Sequence, residues 1–375
     1  MTAYPFPVPA GSPFPIANIP FGIFSTDEQT TPRPGVAVGD HILDLQQMIE
    51  HGFGVDDEVQ AALFSTSLNA LAALPAMGQI GGNPKVADSF FNIPLAYNGR
   101  ASSVRLGDEG VSRPWGAVPA TDGATYSPCQ KFDYEVEMGI FLSKPIPYGQ
   151  SVPAAKAKDH VFGLVLLNDW SARDVQFYEM TPLGPFNGKA TATSISPWIV
   201  TMAALEEAGA VLRTETADAG GKSTPIPFLA CSDDLSIRVS SYISRNGEYQ
   251  RDALAQTDLQ HLHWSPFQML AHHSSSGCGM DTGDLVGTGT LSSSESQLAT
   301  AEGWCEGVRG SGCLYELTCA GSKPFRLTDG SELKWLEDGD LVTFEAWAGS
   351  GDRAIGFGQL SVKVVPAKKM LAERE

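Results

Sequence analysis

The stretch Asp133-Tyr-Glu-Val-Glu-Met-Gly-Ile-Phe-Leu142 decides the fold class, because it opens with the alternating pattern of a β-strand. The next long apolar stretch, Val161-Phe-Gly-Leu-Val-Leu-Leu167, is continuous, which is typical of a strand buried on both faces. The chain also contains 39 glycines and 25 prolines, a composition that favours short strands joined by tight turns over a helical bundle. We therefore predict a mainly β fold of the α+β class.

The N-terminal residues predict further short strands. Strands are indicated at Phe21–Ser25, Gly35–Gly39 and His41–Leu45, and Gly39-Asp40 between the last two is typical of a hairpin turn. Further along the chain, Ser265-Pro-Phe-Gln268 carries the signals of a helix start, with serine as N-cap and glutamine in the capping-box position. We expect that helix to run to about His273.

The most plausible domain boundary lies after an Ala/Leu-rich, helix-compatible stretch over 55–73. Residues 78–84 are glycine-rich and polar, as linkers between domains commonly are. We therefore expect an N-terminal β domain over 1–80 and a larger, strand-dominated domain over 85–375.

Composition limits the class of protein and its partners. The 375 residues are 42% hydrophobic and 18% charged, which is typical of a globular protein. The net charge of −18 disfavours nucleic acid and anionic membranes as partners, although a bound divalent cation could still attract an acidic substrate. The six cysteines form no C-x-x-C pair, and the first residues lack the pattern of a signal peptide. We therefore expect a cytoplasmic protein with free thiols and no membrane span.

Two carboxylates in the opening stretch indicate a candidate site. Residues two apart on a strand share a face, so Glu135 and Glu137 are predicted to point the same way, about 6–7 Å apart along the strand. Two like charges this close are unfavourable unless solvent or a cation screens them. The alternative is an amphipathic strand whose polar face is wet.

A third carboxylate, Asp169, follows the buried apolar strand. Functional groups often emerge where a strand ends, but Asp169 or Ser171 could instead cap a helix that begins nearby. Together with Glu135 and Glu137, Asp169 would supply three hard oxygen ligands, which suit Mg²⁺ or Ca²⁺. Zinc is a poor candidate because these segments contain neither thiolate nor imidazole.

Cationic side chains allow similar alternatives. Lys189 follows two glycines in Leu183-Gly-Pro-Phe-Asn-Gly-Lys189, so its ammonium could lie over a bound ligand or on a solvated surface turn. His272 and His273 fall in the last turn of the predicted helix, where a positive charge is favourable, and we expect a structural role for both.

These residues belong to a longer series of motifs, which follow one another as Tyr97-Asn-Gly-Arg-Ala-Ser-Ser103, Asp133-Tyr-Glu-Val-Glu137, Leu167-Asn-Asp-Trp-Ser-Ala-Arg-Asp174, Pro182-Leu-Gly-Pro-Phe-Asn-Gly-Lys189, Ile195-Ser-Pro-Trp198, Gly283-Asp-Leu285 and Gly356-Phe-Gly358. The series resembles the fumarylacetoacetase family over nearly the whole chain. Pro15-Ile-Ala-Asn-Ile-Pro-Phe-Gly-Ile-Phe-Ser25 resembles the opening of the same family.

The resemblance implies a fold, a reaction and a set of site residues. It implies a small SH3-like N-terminal barrel, a mixed β-roll C-terminal domain that dimerises, and metal-dependent cleavage of a carbon–carbon bond in a 1,3-diketo acid. Mg²⁺ or Ca²⁺ would chelate the dicarbonyl and stabilise its enolate as a Lewis acid. Carried over motif by motif, the implied roles are metal ligation by Glu135, Glu137 and Asp169, support of the metal site by Lys189 and Thr193, and substrate binding by Tyr97, Gln176, Thr290 and Glu316. Of these, Lys189 and Glu316 are the expected catalytic residues.

One departure from the family pattern is large. The family carries, before the Tyr97 motif, a segment with a fourth carboxylate ligand and the histidine that activates water, and this chain has no histidine between His51 and His160. Asn98 also replaces a motif histidine, and Met180 stands where a substrate-binding tyrosine is usual. Loss of a general base commonly costs roughly 10²–10⁴-fold in rate.

Three functions are therefore compatible with the sequence. The first is hydrolysis of a diketo or oxo acid by a homodimer with a substitute base. The second is a non-hydrolytic decarboxylase, isomerase or cyclase that uses the same metal–enolate chemistry. The third is a silent binding homologue, against which the retained charge cluster argues.

Overall fold

The computed structural model describes the residues 8, 12–14, 21–26, 33–44, 47–48, 92–121, 123–180, 183–213, 226–245, 247–249, 253–294 and 310–369. In that part of the chain the strands are β1 Phe21–Phe24, β2 Arg33–Val38, β3 His41–Asp44, β4 Val104–Leu106, β5 Val111–Ser112, β6 Trp115–Ala120, β7 Gly123–Pro128, β8 Phe132–Asp133, β9 Val136–Leu142, β10 Val161–Asp169, β11 Ser171–Ala172, β12 Thr193–Ile195, β13 Trp198–Thr201, β14 Val211–Arg213, β15 Asp233–Leu235, β16 Ile237–Arg245, β17 Glu248–Tyr249, β18 Ala255–Asp258, β19 Leu285–Gly287, β20 Phe325–Arg326, β21 Glu332–Leu333, β22 Leu341–Ala348 and β23 Ile355–Val365.

The helices are short. They are α1 Ala154–Ala157, α2 Arg173–Glu179, α3 Met202–Glu207, α4 Pro266–Ser274 and α5 Leu314–Leu317. Strands thus dominate, and the predicted mainly β fold of the α+β class is confirmed. None of the helices in the described ranges is long and apolar enough to cross a bilayer.

Two large sheets contain most of the strands in the described ranges, and the other strands form two-stranded sheets. A nine-stranded sheet has the order β19-β9-β10-β13-β1-β2-β3, with β12 paired to β10 and to β4. A six-stranded sheet has the order β17-β16-β22-β23-β5, with β18 also paired to β16. The strands β22 and β23 contact β10, and the ring of Tyr134 lies edge-on to that of Phe344 at 5.6 Å. The main hydrophobic core therefore joins the two sheets.

Strands β9 and β10 are buried on both faces, as the sequence predicts for β10. Ile140, Leu164 and Leu166 belong to the main core, whereas Phe141 and Val165 belong to a second cluster on the opposite face. The pairing is antiparallel. The face of β9 and β10 that carries Phe141 and Val165 consists of the odd-numbered residues, and Glu137 and Asp169 lie on this same face.

Several local predictions are confirmed. The strands β2 and β3 form a hairpin, with Val38 opposite His41 and the turn at Gly39-Asp40. Helix α4 starts with the capping box of Ser265 and Gln268 and ends one residue beyond the predicted His273. The helix predicted over 55–73 and the boundary at 78–84 lie outside the described residues, so the division at residue 80 and the SH3-like barrel stay predictions.

Candidate metal centre

Three carboxylates converge where β9 and β10 lie side by side. Glu137 is opposite Leu167 in the ladder, Asp169 is the last residue of β10, and Glu135 directly precedes β9. One carboxylate oxygen from each residue lies within 4.8 Å of the others. The exposed fractions of Glu135, Glu137 and Asp169 are only 1%, 0% and 3%, so this is not the wet face of an amphipathic strand.

Lys189 lies against two of these carboxylates. Its Nζ is 2.5 Å from Glu135 Oε2 and 2.7 Å from Asp169 Oδ2, and the residue is buried at the end of the 3₁₀ turn Asn187–Lys189. Lys189 is therefore not on a solvated surface turn. Asp169 also does not cap a helix, since α2 begins at Arg173 after Ala172, without a side-chain cap.

A second buried cation, Arg173, was missed by the sequence analysis. Its Nη1 donates to Glu135 Oε1 at 2.8 Å and its Nε donates to Asp133 Oδ2 at 2.9 Å, while its Nη2 forms an ion pair with the same oxygen at 2.8 Å. Asp133 also accepts hydrogen bonds from the backbone N–H groups of Leu314 and Tyr315 at the start of α5. Asp133 and Arg173 thus hold Glu135 and the first turn of α5 in one network.

A signal for Asp133 was present in the sequence. Asp133, Glu135 and Glu137 are spaced two apart, so all three carboxylates lie on one face of an extended segment. Arg173 follows Asp169 by four residues in the same motif. The pattern does not predict which carboxylate pairs with Arg173, because that depends on how the chain turns after β10.

The environment shifts the pKa values of the three carboxyl groups in different directions. Burial raises the pKa of Glu137 well above its ordinary value, and the nearby charges of Asp169 and Glu135 raise it further. Burial also raises the pKa of Asp169, although the ammonium of Lys189 opposes this. For Glu135, burial alone would raise the pKa, but Lys189 and Arg173 together outweigh it and hold the pKa below its usual range.

Glu137 shows that the donor set fits a cation. Its Oε2 accepts a hydrogen bond from Gly289 N at 3.0 Å, whereas its Oε1 is buried and has no hydrogen-bond partner among the described residues. A buried acceptor without a partner is costly, and a divalent cation would satisfy it. The oxygen-only donors of Glu135, Glu137 and Asp169 suit Mg²⁺ or Ca²⁺, and the described residues around them therefore fit the implied metal.

Two more of the residues that the resemblance implies lie beside Asp169. The hydroxyl of Tyr97 donates to Asp169 Oδ2 at 2.8 Å, and burial, followed by the charge of Asp169, raises the pKa of Tyr97. The hydroxyl therefore stays protonated. Thr193 is the direct partner of Asp169 in the ladder between β10 and β12, so the two side chains share a face of the sheet.

The remaining residues that the resemblance implies are Gln176, Thr290 and Glu316, and the first two are linked to the carboxylates through a neighbouring residue. Gln176 Oε1 accepts from Arg173 Nη1 at 3.3 Å, and Thr290 is buried next to Gly289, which donates to Glu137. Glu316 Oε2 accepts from Ser292 Oγ at 2.7 Å and from Gly312 N at 2.9 Å, and burial raises the pKa of Glu316. Asp88, a possible fourth oxygen ligand, lies outside the described residues.

Comparison with known proteins identifies the family of this chain. The family described as "Fumarylacetoacetate (FAA) hydrolase C-terminal" matches residues 64–365, and "Fumarylacetoacetase N-terminal" matches residues 17–79. The chain is 34% identical to a fumarylacetoacetase of Aspergillus fumigatus, over 97% of this chain and 98% of that protein. It is 31% identical to the fumarylacetoacetase of Homo sapiens, over 96% of this chain and 98% of that protein.

Solved structures show the same fold at low sequence identity. A putative HpcE protein from Mycobacterium smegmatis superposes with a TM-score of 0.52 at 17% identity, covering 92% of this chain and 99% of that one. A 5-carboxymethyl-2-hydroxymuconate delta-isomerase from the same species gives 0.50 at 15% identity, covering 94% and 100%. At these identities the likeness shows the fold alone.

The fold and the sequence matches together define the class of protein. The chain belongs to the fumarylacetoacetase family. It is a fumarylacetoacetase-like enzyme, and the relatives named fumarylacetoacetase support the class of hydrolases that act on a carbon–carbon bond.

The comparison also shows that this chain is shorter than its relatives. The alignment with the Aspergillus fumigatus protein extends over 441 positions, although this chain has only 375 residues. Relatives therefore contain residues within the matched region that this chain lacks. That these absent residues include the segment with the family's water-activating histidine stays a prediction.

Proposed function

We propose that this enzyme hydrolyses a carbon–carbon bond of a 1,3-diketo acid with the help of Mg²⁺ or Ca²⁺ held by Glu135, Glu137 and Asp169. The observation that carries the proposal is the buried cluster of these three carboxylates, in which one oxygen of Glu137 has no hydrogen-bond partner in the part of the chain that the structure describes. Burying like charges together is unfavourable unless a cation compensates them. When bound, the divalent cation would supply Lewis acidity for the substrate carbonyls.

Lys189 is the proposed electrostatic catalyst. In the hydrolysis, water adds to one carbonyl carbon and the bond to the central carbon breaks, so that the electron pair is left on the enolate of the other carbonyl, which then takes a proton. The Lys189 ammonium has three N–H groups, of which two lie against Glu135 and Asp169. The third has no acceptor among the described residues and can donate to the developing negative charge, an effect usually worth 10²–10³-fold, or roughly 3–4 kcal/mol.

Glu316 is the proposed substitute for the missing base. Burial raises the pKa of Glu316, which makes its carboxylate a stronger base than an exposed one. Its Oε2 is held by Ser292 Oγ and Gly312 N. Tyr97 cannot serve as a base, since its raised pKa keeps it protonated, and we assign it to orienting Asp169 and substrate.

The proposal is tested by adding purified protein and Mg²⁺ to fumarylacetoacetate, the compound named in the family description. The expected result is a loss of diketone absorbance that stops on addition of a chelator, with fumarate and acetoacetate as products. A folded protein that leaves fumarylacetoacetate and related diketo acids intact would contradict the hydrolase assignment for these substrates.

A second function is favoured by one specific observation. The chain has no histidine between His51 and His160, where the resemblance places the water-activating group, and Met180 replaces a substrate-binding tyrosine. Decarboxylation, isomerisation or ring closure needs only the metal site and Lys189. Turnover in H₂¹⁸O separates the two functions, because hydrolysis places ¹⁸O in a product carboxylate and the non-hydrolytic reactions do not.

The setting of the enzyme is also part of the proposal. We place it in the cytoplasm as a homodimer, with an N-terminal domain over 1–80 and a catalytic domain over 85–375. The N-terminal family match, which ends at residue 79, supports this division. The five cysteines in the described ranges are free thiols, as a reducing compartment allows.

A further inference from the structure

The loop that delivers Lys189 to the carboxylates is attached to the end of helix α2. Glu179, the last residue of α2, accepts two backbone hydrogen bonds through Oε1, from Phe186 N at 3.0 Å and from Gly188 N at 2.6 Å. Both donors belong to the segment immediately before Lys189. The half-buried Glu179 therefore bridges the helix and the loop with a single carboxylate oxygen.

The loop also packs directly on the backbone of α2. A Cβ added to Gly188 would lie 2.6 Å from the backbone N and Cα of Gln176, closer than real atoms approach. Only glycine fits at this position, and the fit keeps Gly188 at the distance where Glu179 reaches its N–H. On the outer side of the loop, Leu183 and Phe186 are 79% and 55% exposed, so little packing there could hold the loop in place.

We propose that Glu179 is a positioning residue, which places the Lys189 ammonium against Glu135 and Asp169 by fixing the backbone of the preceding two residues. The link to catalysis rests on the function proposed above, whereas the positioning itself does not. The first residue of α2, Arg173, reaches Glu135 from the other end of the same helix. One short helix thus sets the location of both buried cations.

The test measures the accessibility of Lys189 rather than activity alone. Lys189 is 4% exposed, so an amine-acylating reagent followed by peptide mass spectrometry should label it slowly in the parent enzyme. In Glu179→Ala two backbone donors lose a charged acceptor, and we expect labelling of Lys189 to rise by about tenfold or more. Glu179→Gln keeps an acceptor oxygen and should stay within about threefold of the parent.

Two controls separate positioning from a general loss of stability. Glu207→Ala removes an exposed carboxylate from the last position of another short helix, α3, and should leave the labelling of Lys189 unchanged. Arg245→Met destabilises the fold at a site away from α2. The labelling of Lys189 should be lower in this variant than in Glu179→Ala. If Glu179→Ala folds poorly, Glu179→Asp, whose shorter side chain cannot reach both N–H groups, replaces it.

The outcomes distinguish this inference from the proposed function. Unchanged labelling in folded Glu179→Ala or Glu179→Asp, or equal labelling in Arg245→Met, would overturn the positioning role. If labelling rises as expected, kcat of Glu179→Ala should fall by about tenfold, and the fall should disappear when Lys189 is already replaced in Lys189→Met. Full activity of Lys189→Met would contradict the proposed function of Lys189 and leave the positioning result standing.

Discussion

Among the described residues, one group of buried charges surrounds Arg245 and another is formed around the three converging carboxylates. Around Arg245, Nε and Nη2 donate to the two oxygens of Asp340 at 2.9 and 2.7 Å, and the remaining N–H groups donate to Glu337 and to the carbonyls of Glu332 and Trp335. Glu337 is 68% exposed, so the buried part is one cation against one carboxylate. This group is balanced in charge and rich in hydrogen bonds.

The group around the carboxylates is not balanced. Its buried anionic side chains are Asp133, Glu135, Glu137 and Asp169, and its buried cations are Arg173 and Lys189. Counting the described residues alone, the formal excess is two negative charges. Without a cation, the raised pKa of Glu137 allows a proton to offset part of that excess.

The difference teaches how to tell a structural ion pair from a site. Both groups are buried, so burial alone does not separate them. What separates them is the uncompensated charge and the oxygen of Glu137 that accepts no hydrogen bond from any described residue. Substitutions in the two groups should therefore have opposite effects on stability and on cation binding.

Arg245→Met should give the largest effect, on stability. The substitution leaves the carboxylate of Asp340 buried and uncompensated, which typically costs about 3–5 kcal/mol. We expect chemical denaturation to show this loss, with the affinity for Mn²⁺ measured by calorimetry unchanged. Arg245→Met with Asp340→Asn removes both charges and should recover much of the stability, and an equally unstable double variant would mean that the charge pair is not the cause.

Glu137→Gln should show the reverse pattern. The change removes one of three anionic ligands. Loss of a residue that only supports a metal ligand commonly weakens metal affinity by roughly 10–100-fold. Loss of a ligand itself should cost more, so we expect Mn²⁺ to bind at least about 100-fold more weakly. Stability without metal should change by less than about 1 kcal/mol, because the change relieves repulsion with Asp169 and Glu135. Unchanged Mn²⁺ affinity would remove the basis for a metal at this site.

The sequence predicts the anionic half of this comparison better than the cationic half. Strand periodicity and the end of a buried strand, both local in the chain, make Glu135, Glu137 and Asp169 candidates, and the family resemblance then favours a metal site over a wet strand face or a helix cap. The partners of Arg173 and the hydrogen bonds of Glu179 to the loop depend on how separate segments pack together. The sequence pattern does not predict that packing. The balanced group around Arg245 carries no local signal at all, since its partners follow about ninety residues later.

Tertiary packing also reverses one electrostatic expectation, at the end of α4. His273 lies in the last turn of this helix, where the helix dipole favours a positive charge. Burial, with a smaller contribution from the neighbouring His272, instead lowers the pKa of His273 to about 4. The half-buried imidazole of His273 thus remains neutral, a third arrangement beside the balanced and the unbalanced group.

The smallest predicted effect follows from that shift and concerns pH. Because the pKa of His273 is about 4 in the folded protein and about 6.5 when unfolded, the unfolded chain binds a proton over this window that the folded one does not. Stability should therefore fall as the pH is lowered from 6.5 to 4, by about 1–3 kcal/mol from this group, and Glu and Asp residues add their own terms. His273→Gln should lose less stability than the parent over the same window. His272→Gln should differ less from the parent, because burial also lowers the pKa of His272 but that side chain is less buried than His273. Parallel stability curves for the parent and His273→Gln between pH 6.5 and 4 would mean that His273 is charged in the fold, and the helix dipole would then outweigh burial at this position.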